Sequence, residues 1–505
     1  MSQLKANVIA NLLGQGWRAA MSLAFVPVYI RALGSEAYGL IGLYASLQAW
    51  LFLIDMGLRP TLVREMARLA SGQHDAQSIR DLLRTAEVMA TALCTATALL
   101  LWLASGWLAR HWLNVKLLPM DTVAQAIAIM SLVAALQVLE GLYAGSIAGL
   151  EHQVTQNFIM SFMATLRGVG GAVVVTFLAP SITAFFVWQS LVAALAVMVT
   201  GSVLYHLLPQ AARAGRFSTS ALRGIGQFAG GMSAITVLVL LLTQVDKLLL
   251  ASLLPLSEFA HYTLASVVAS ALFYLYSPVV AAYFPRLSAL SVPGAEPGPL
   301  SDAYHLGAQL VTVLAGSTGA VLAVFAEPLL RLWTGDAELA RAVAPLLTLL
   351  TLGSLLNGLM ALPYHLQLAH GWLRLTIAIN SVAVVVLVTA LFVLVPRYGA
   401  PAAAAIFLVL NGGYVTIGVW LMHRRLLPQE RWRWYLQDTA LPLAAMMALA
   451  WIASRWMPTD LTPLASGAAI IGVGLLTLLL GAALAGRVRQ LLRGRWLAAV
   501  PMPRS

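Results

Sequence analysis

Apolar residues run along this chain in long blocks broken by short polar turns. A window of about 19 residues marks fourteen blocks, each able to cross a bilayer as a helix of about 20 residues. Their cores fall near 8 to 30, 38 to 58, 86 to 108, 122 to 149, 158 to 179, 183 to 207, 226 to 252, 259 to 284, 304 to 326, 342 to 366, 373 to 395, 400 to 422, 438 to 456 and 463 to 485. The first, which contains Arg18, and the seventh, which contains Asp246 and Lys247, are the weakest of the series. An even count puts both termini on one side. On that side the turns and ends collect 21 Lys and Arg residues, the opposite side collects 7, and Arg18 and Lys247 lie within spans. Basic residues accumulate in cytoplasmic loops, so the tally predicts cytoplasmic termini. One helix too many or too few would reverse every later loop and scramble the bias, so the bias itself supports fourteen.

Composition excludes a soluble fold. Hydrophobic residues make up 60% of the 505 positions and charged residues 10%, with a mean hydropathy of +0.85. Soluble domains carry about 25% charged residues, so too little polar surface is left here to wrap a core. The single cysteine, Cys94, cannot close an internal disulfide. The net charge of +11 is read as topology, not as an affinity for nucleic acid. Lys5 before an apolar stretch could be read as a secretory signal, but the stretch is too long and lacks a small-residue cleavage site, so a retained first helix is expected. The tail after 486 interleaves Arg487, Arg489, Arg493 and Arg495 with Leu491, Leu492 and Trp496, which fits an interfacial helix on anionic lipid and equally a disordered basic tail.

Residues 33 to 47 and 254 to 267 resemble each other weakly, both lying between consecutive spans. Their spacing predicts two six-helix halves, 1–222 and 223–425, followed by an extra helix pair and basic tail in 426–505. Halves of even helix count share one orientation and are related by an axis along the membrane normal. Transporters with that architecture bind cargo between their halves.

A charge near the bilayer centre costs a few kcal/mol, so each one needs a reason. Arg18 lies about 15 Å past the start of the first block at 1.5 Å per residue, too deep to reach the headgroups. Asn7, Asn11, Gln15 and Arg18 follow a spacing of four, four and three, which makes one polar stripe on an apolar helix. The stripe reads as the wall of a wet cavity or as polar glue between helices. Asp246 and Lys247 are neighbours about 100° apart on a helix, so each needs another partner. Asp55 and Arg59 suit an end-of-helix pair. Glu140 lies beside Tyr143 on a helix where Gly141, Gly145 and Gly149 repeat every four residues, a pattern for close helix packing. Asn357, Pro363, Tyr364 and Gln367 predict a bent, partly polar tenth span.

Catalytic patterns are missing from the sequence. It has no His/Glu zinc spacing and no strand-placed nucleophile elbow, and the dinucleotide-like letters Gly224-Ile-Gly226-Gln-Phe-Ala229 begin a membrane helix with no strand before them. No metal, cofactor or enzymatic activity is expected.

Four segments carry a resemblance: Tyr38-Gly-Leu-Ile; Asp55-Met-Gly57-Leu-Arg-Pro-Thr61-Leu-Val-Arg64-Glu65-Met-Ala-Arg68; Asp246-Lys247-Leu-Leu-Leu; and Leu362-Pro-Tyr364-His-Leu-Gln367-Leu-Ala-His-Gly371. Over about residues 5 to 425 the chain resembles bacterial flippases for lipid-linked oligosaccharides. These O-antigen and exopolysaccharide translocases, often called Wzx, belong to the MOP exporter superfamily with multidrug (MATE) exporters and the lipid II flippase. The resemblance implies an all-α inner-membrane protein of about fourteen helices, with two six-helix lobes around a cationic cavity that opens alternately to each side. The implied cargo is a polyprenyl-pyrophosphate-linked oligosaccharide, with polysaccharide polymerase and glycosyltransferases as candidate partners in exopolysaccharide or lipopolysaccharide synthesis. It makes Arg18, Gln15, Asn11 and Lys247 candidate cargo contacts, Asp55, Glu140 and Asp246 candidate ion-coupling sites, and Gly141, Gly145 and Pro363 candidate gating or packing positions. The related lipid II flippases carry a cavity arginine on the eighth helix that is not found between 259 and 284. An exporter of organic cations would want inward-facing acids instead, and a membrane polymerase or ligase a large external loop.

Overall fold

The structure, a computed structural model, describes residues 3–51, 57–72, 75–292, 294, 296–458 and 461–492. Every regular element among them is a helix, and the chain forms two compact units that divide after Ala260.

The first unit begins with α1 (Gln3–Ala24) and α2 (Val26–Leu33), separated by a break at Phe25 just before Pro27, which has no N–H to donate to the preceding turn. Gly34, with φ +84°, turns the chain into α3 (Ser35–Leu51). Then follow α4 (Leu58–Ala70), α5 (Ala76–Trp107), α6 (Met120–Gly149), α7 (Gln153–Val173), α8 (Ile182–Leu207) and α9 (Thr219–Leu253). Leu58, Leu62 and Met66 of the short α4 are buried against α5, α6 and α8.

Lipid tails are as apolar as leucine, so helices in a bilayer gain little from hiding apolar surface and depend on close approach and polar contacts. Both devices appear in this unit. A Cβ on Gly149 would fall 2.5 Å from the Val63 carbonyl oxygen, and one on Gly145 would fall 2.8 Å from Arg59 Cγ, so α4 rests directly on the glycine face of α6. At Gly141 the nearest atom is 3.7 Å away, an ordinary contact. Gly149→Ala is expected to destabilise the protein by about 1–3 kcal/mol, because the neighbouring atom is rigid backbone, while Gly141→Ala should be tolerated. Melting temperatures of the two purified variants check this. The polar contact is Glu36, 4% exposed, whose carboxylate accepts the backbone N–H groups of Lys116, Leu117 and Leu118 at 2.6, 2.7 and 2.8 Å. It fastens the connection between α5 and α6 to the start of α3.

α10 (Leu256–Ala269) leads into the second unit. It continues after one residue as α11 (Ala271–Leu290), so the eighth crossing runs past the expected end near 284 and carries Arg286. Next come α12 (Pro297–Val324), α13 (Ala326–Thr334) and α14 (Ala337–Ala369). α15 (Leu373–Gly413) bends sharply at Gly399, which takes φ +66° between Pro396 and Pro401 and makes two crossings of one run. α16 (Val419–Leu426) and the single turn α17 (Arg431–Arg433) precede a wide π-helical stretch, Trp434–Ala440, that enters α18 (Leu441–Trp456). α19 (Pro463–Leu484) and α20 (Gly486–Leu492) complete the unit. Tyr304, Leu355, Leu362, Val419 and Trp434 form the heart of its core.

Ten helical stretches among the described residues are long and apolar enough to cross a membrane, one of them the α15–α16 run that Gly399 folds in two. The α1–α2 pair, α3 and α9 lie at the first, second and seventh apolar blocks of the sequence and are not among these ten. Arg167 lies inside α7 and Arg286 inside α11, both within helical stretches long and apolar enough to cross a membrane, so helices carry two arginines that the basic-residue tally assigns to turns.

Candidate functional site

Asn157 of α7 organises the polar contacts of the first helix. Its carbonyl oxygen accepts from Arg18 Nη1 at 3.1 Å, and its amide donates to Asn11 Oδ1 at 2.5 Å and to the Gln153 carbonyl at 2.9 Å. Asn11 in turn donates to Gln153 Oε1 at 2.6 Å, Asn7 to the Glu151 carbonyl at 3.3 Å, and the Trp17 indole to Thr165 Oγ1 at 2.8 Å. Asn11 and Arg18 therefore meet α7 and Asn7 the turn just before it, whereas Gln15 is exposed and Gly14 takes the place between Asn11 and Arg18. Gly14 is required there, since a Cβ would fall 2.4 Å from Asn157 Oδ1. Arg18 stands about 22 Å along α1 from Gln3 at 1.5 Å per residue and is half-buried.

A second charged cluster lies between α6 and α7. Arg167 Nη2 pairs with Glu140 Oε2, whose side chain is 3% exposed. Tyr44 of α3 lies close to both charges, and Gln48 donates to the Tyr44 hydroxyl at 2.8 Å and to Gln137 Oε1. Glu140 Oε1 and Arg167 Nε are buried without a hydrogen-bond partner among the described residues. A carboxylate and a guanidinium that each keep one group unsatisfied can take up a further ligand without breaking the pair.

On α9, Lys247 Nζ donates to Gln244 Oε1 at 3.3 Å and to the Thr243 carbonyl at 3.5 Å, which holds the ammonium along its own helix. Asp246 is half-buried, with Oδ1 shielded from solvent. Asp55 lies outside the described residues. Pro363 is buried within α14. One turn and a half before it, Asn357 links that helix to Asn411 Oδ1 at 2.9 Å and accepts from the Tyr276 hydroxyl at 3.3 Å.

Sequence reading missed two members of these clusters. Arg167 follows nine residues of an apolar run inside the block 158 to 179, and Gln153 and Asn157 make a polar i, i+4 pair on the face α7 turns to α1.

The arrangement of helices has solved counterparts. A lipid II flippase, MurJ, in an inward closed conformation matches 96% of this chain and 99% of its own with a TM-score of 0.72 at 12% identity. An inward-facing multidrug resistance MATE family transporter of the MOP superfamily matches 81% of this chain and 94% of its own, with a TM-score of 0.62 at 14% identity. A MOP superfamily transporter from Pyrococcus furiosus matches 84% and 96%, with a TM-score of 0.52 at 13% identity. No curated protein matches the chain. At such identities the likeness concerns the fold alone, an all-α arrangement of long apolar helices like that of these structures. The sequence goes further: residues 4–291, more than half of the chain, match the Polysaccharide biosynthesis protein family, to which the chain belongs.

Proposed function

We propose that this protein is a flippase that carries polyprenyl-pyrophosphate-linked oligosaccharides across the cytoplasmic membrane for O-antigen or exopolysaccharide synthesis, by alternating access. Its termini would be cytoplasmic, and its transport unit would comprise two six-helix lobes, 1–222 and 223–425. The observation that carries the reading is Arg18, a guanidinium deep in an apolar helix, half-buried and steered by Asn157. A pyrophosphate crossing about 30 Å of hydrocarbon needs fixed positive charge along its path, while its prenyl tail can stay in lipid. Asn11 shares the Asn157 hub and would contact the same headgroup, Gln15 is exposed beside it, and Lys247 would add charge from α9. Family membership supports this choice of cargo, since polysaccharide units are built on such lipids. Asp55, Glu140 and Asp246 are the candidates for coupling to an ion gradient. Binding and passage, not bond chemistry, are the activity proposed, and polymerase and glycosyltransferases would act before and after it.

Reconstitution tests the reading. Purified protein in lipid vesicles should move a fluorescent polyprenyl-pyrophosphate oligosaccharide to the far leaflet, measured by its accessibility to a membrane-impermeant quencher, much faster than protein-free vesicles do. Vesicles that instead accumulate an organic cation and leave the oligosaccharide in place would overturn the flippase reading in favour of the exporter.

A further inference from the structure

Far along the sequence from the first-unit clusters, the second unit holds a histidine clamped between two acids. His305 of α12 and Asp438 are both fully buried. His305 Nδ1 meets Asp438 Oδ2, and His305 Nε2 lies 2.9 Å from Glu430 Oε2. Neighbouring groups fill the remaining lone pairs: Gln309 Nε2 donates to Asp438 Oδ1 at 2.7 Å, Ser301 Oγ donates to Glu430 Oε1 at 2.9 Å, and Arg433 Nη1 stands 3.6 Å from Glu430 Oε2. Asp438 sits in the wide π-helical stretch Trp434–Ala440, an irregularity that recurs at functional sites because it re-aims side chains.

Counting hydrogens shows what the triad requires. A neutral imidazole has one N–H and one lone pair, and an ionised carboxylate only accepts. With both acids ionised and the ring neutral, one nitrogen donates while the other turns its lone pair toward a carboxylate oxygen at hydrogen-bond distance. That contact is repulsive, most of all in a buried setting of low dielectric. Satisfying both contacts takes a second proton in the triad, on the ring or on one of the acids. We propose that His305, Asp438 and Glu430 form a buried proton-binding site, and that the proton it holds fastens the C-terminal helices to α12.

The contacts around the triad show what would be fastened. Glu430 and Asp438 flank α17 and lead into α18. Gln309, besides holding Asp438, accepts the backbone N–H groups of Arg487 and Val488 at 2.8 and 3.4 Å, at the start of α20. Arg487 also pairs with Asp302 of α12 at 2.6 Å. Among the described residues, the other titratable or charged groups facing the site are Tyr304 on α12, whose hydroxyl lies 3.2 Å from His423 Nε2 of α16, and Arg431 and Arg433 on α17. Loss of the proton sets two acceptors against each other at the joint between α12 and α17–α18, so the joint holds at lower pH and loosens as pH rises through the release of that proton.

The test uses the full-length protein, purified in detergent, and needs no cargo, so it is independent of the flippase reading. Its readout is the melting temperature as a function of pH. The wild type is expected to lose thermal stability from mildly acidic to mildly alkaline pH, with a slope of at most about tenfold in the unfolding equilibrium per pH unit, the limit for one proton. Glu430→Gln keeps the shape, still accepts from Ser301, and supplies a permanent N–H toward His305 Nε2, so its profile over the same range should be flat. His370→Gln, at an exposed histidine outside the triad, should keep the wild-type slope. A flat wild-type profile, or a Glu430→Gln profile that keeps the wild-type slope, overturns the proposal.

Discussion

Replacement of Arg18 by alanine is expected to lower export of lipid-linked oligosaccharide by about 10- to 100-fold per folded molecule. One guanidinium supplies charge-assisted hydrogen bonds to the cargo phosphates worth about 1.5–3 kcal/mol, and each 1.4 kcal/mol is tenfold. Charge and geometry separate in the series. Arg18→Lys keeps the cation and loses the planar fork that grips two phosphate oxygens at once, so partial export should remain, while Arg18→Glu should repel the anion outright. Because Arg18 also reaches Asn157, a helix-joining role makes a different forecast: all three variants would lower the amount of folded protein in step with export. Export normalised to folded protein decides between them, and normal export from Arg18→Ala at normal abundance removes Arg18 from the site.

Loss of the Arg167 side chain is expected to destabilise the first unit strongly. Arg167→Ala leaves the Glu140 carboxylate, 3% exposed, without its partner inside the membrane, and breaking a buried pair from one side costs about 3–5 kcal/mol. Abundance in the membrane should collapse. The double variant Glu140→Gln, Arg167→Gln removes both charges at similar volume and should restore most of it, because two amides satisfy each other without desolvating an ion. Transport then becomes informative. If Glu140 couples export to an ion gradient, the double variant will be well folded and slow, and it will have lost its dependence on the gradient. A double variant that is well folded and transports normally shows that the pair only holds α6 to α7.

The all-α class of fold, most of the long apolar helices and the presence of buried polar groups were legible in the sequence alone, because these depend on local composition. An apolar run of about 20 residues has to be helical in lipid whatever packs beside it, since no water is present to satisfy its backbone. The break between the blocks 373 to 395 and 400 to 422, where the structure bends at Gly399, was equally legible. The stripe on the first helix was legible as a stripe, yet only packing against α7 chose Gly14 instead of Gln15 for its inner face. Partners were beyond sequence reading altogether. Arg18 meets a residue 139 positions away and His305 one 133 positions away, and no periodicity within a helix says which other helix will lie beside it. Arg167 shows the cost of that gap: an arginine in an apolar run looks like a misplaced loop residue until the buried Glu140 on the next helix supplies the opposite charge that lets it stay in the membrane.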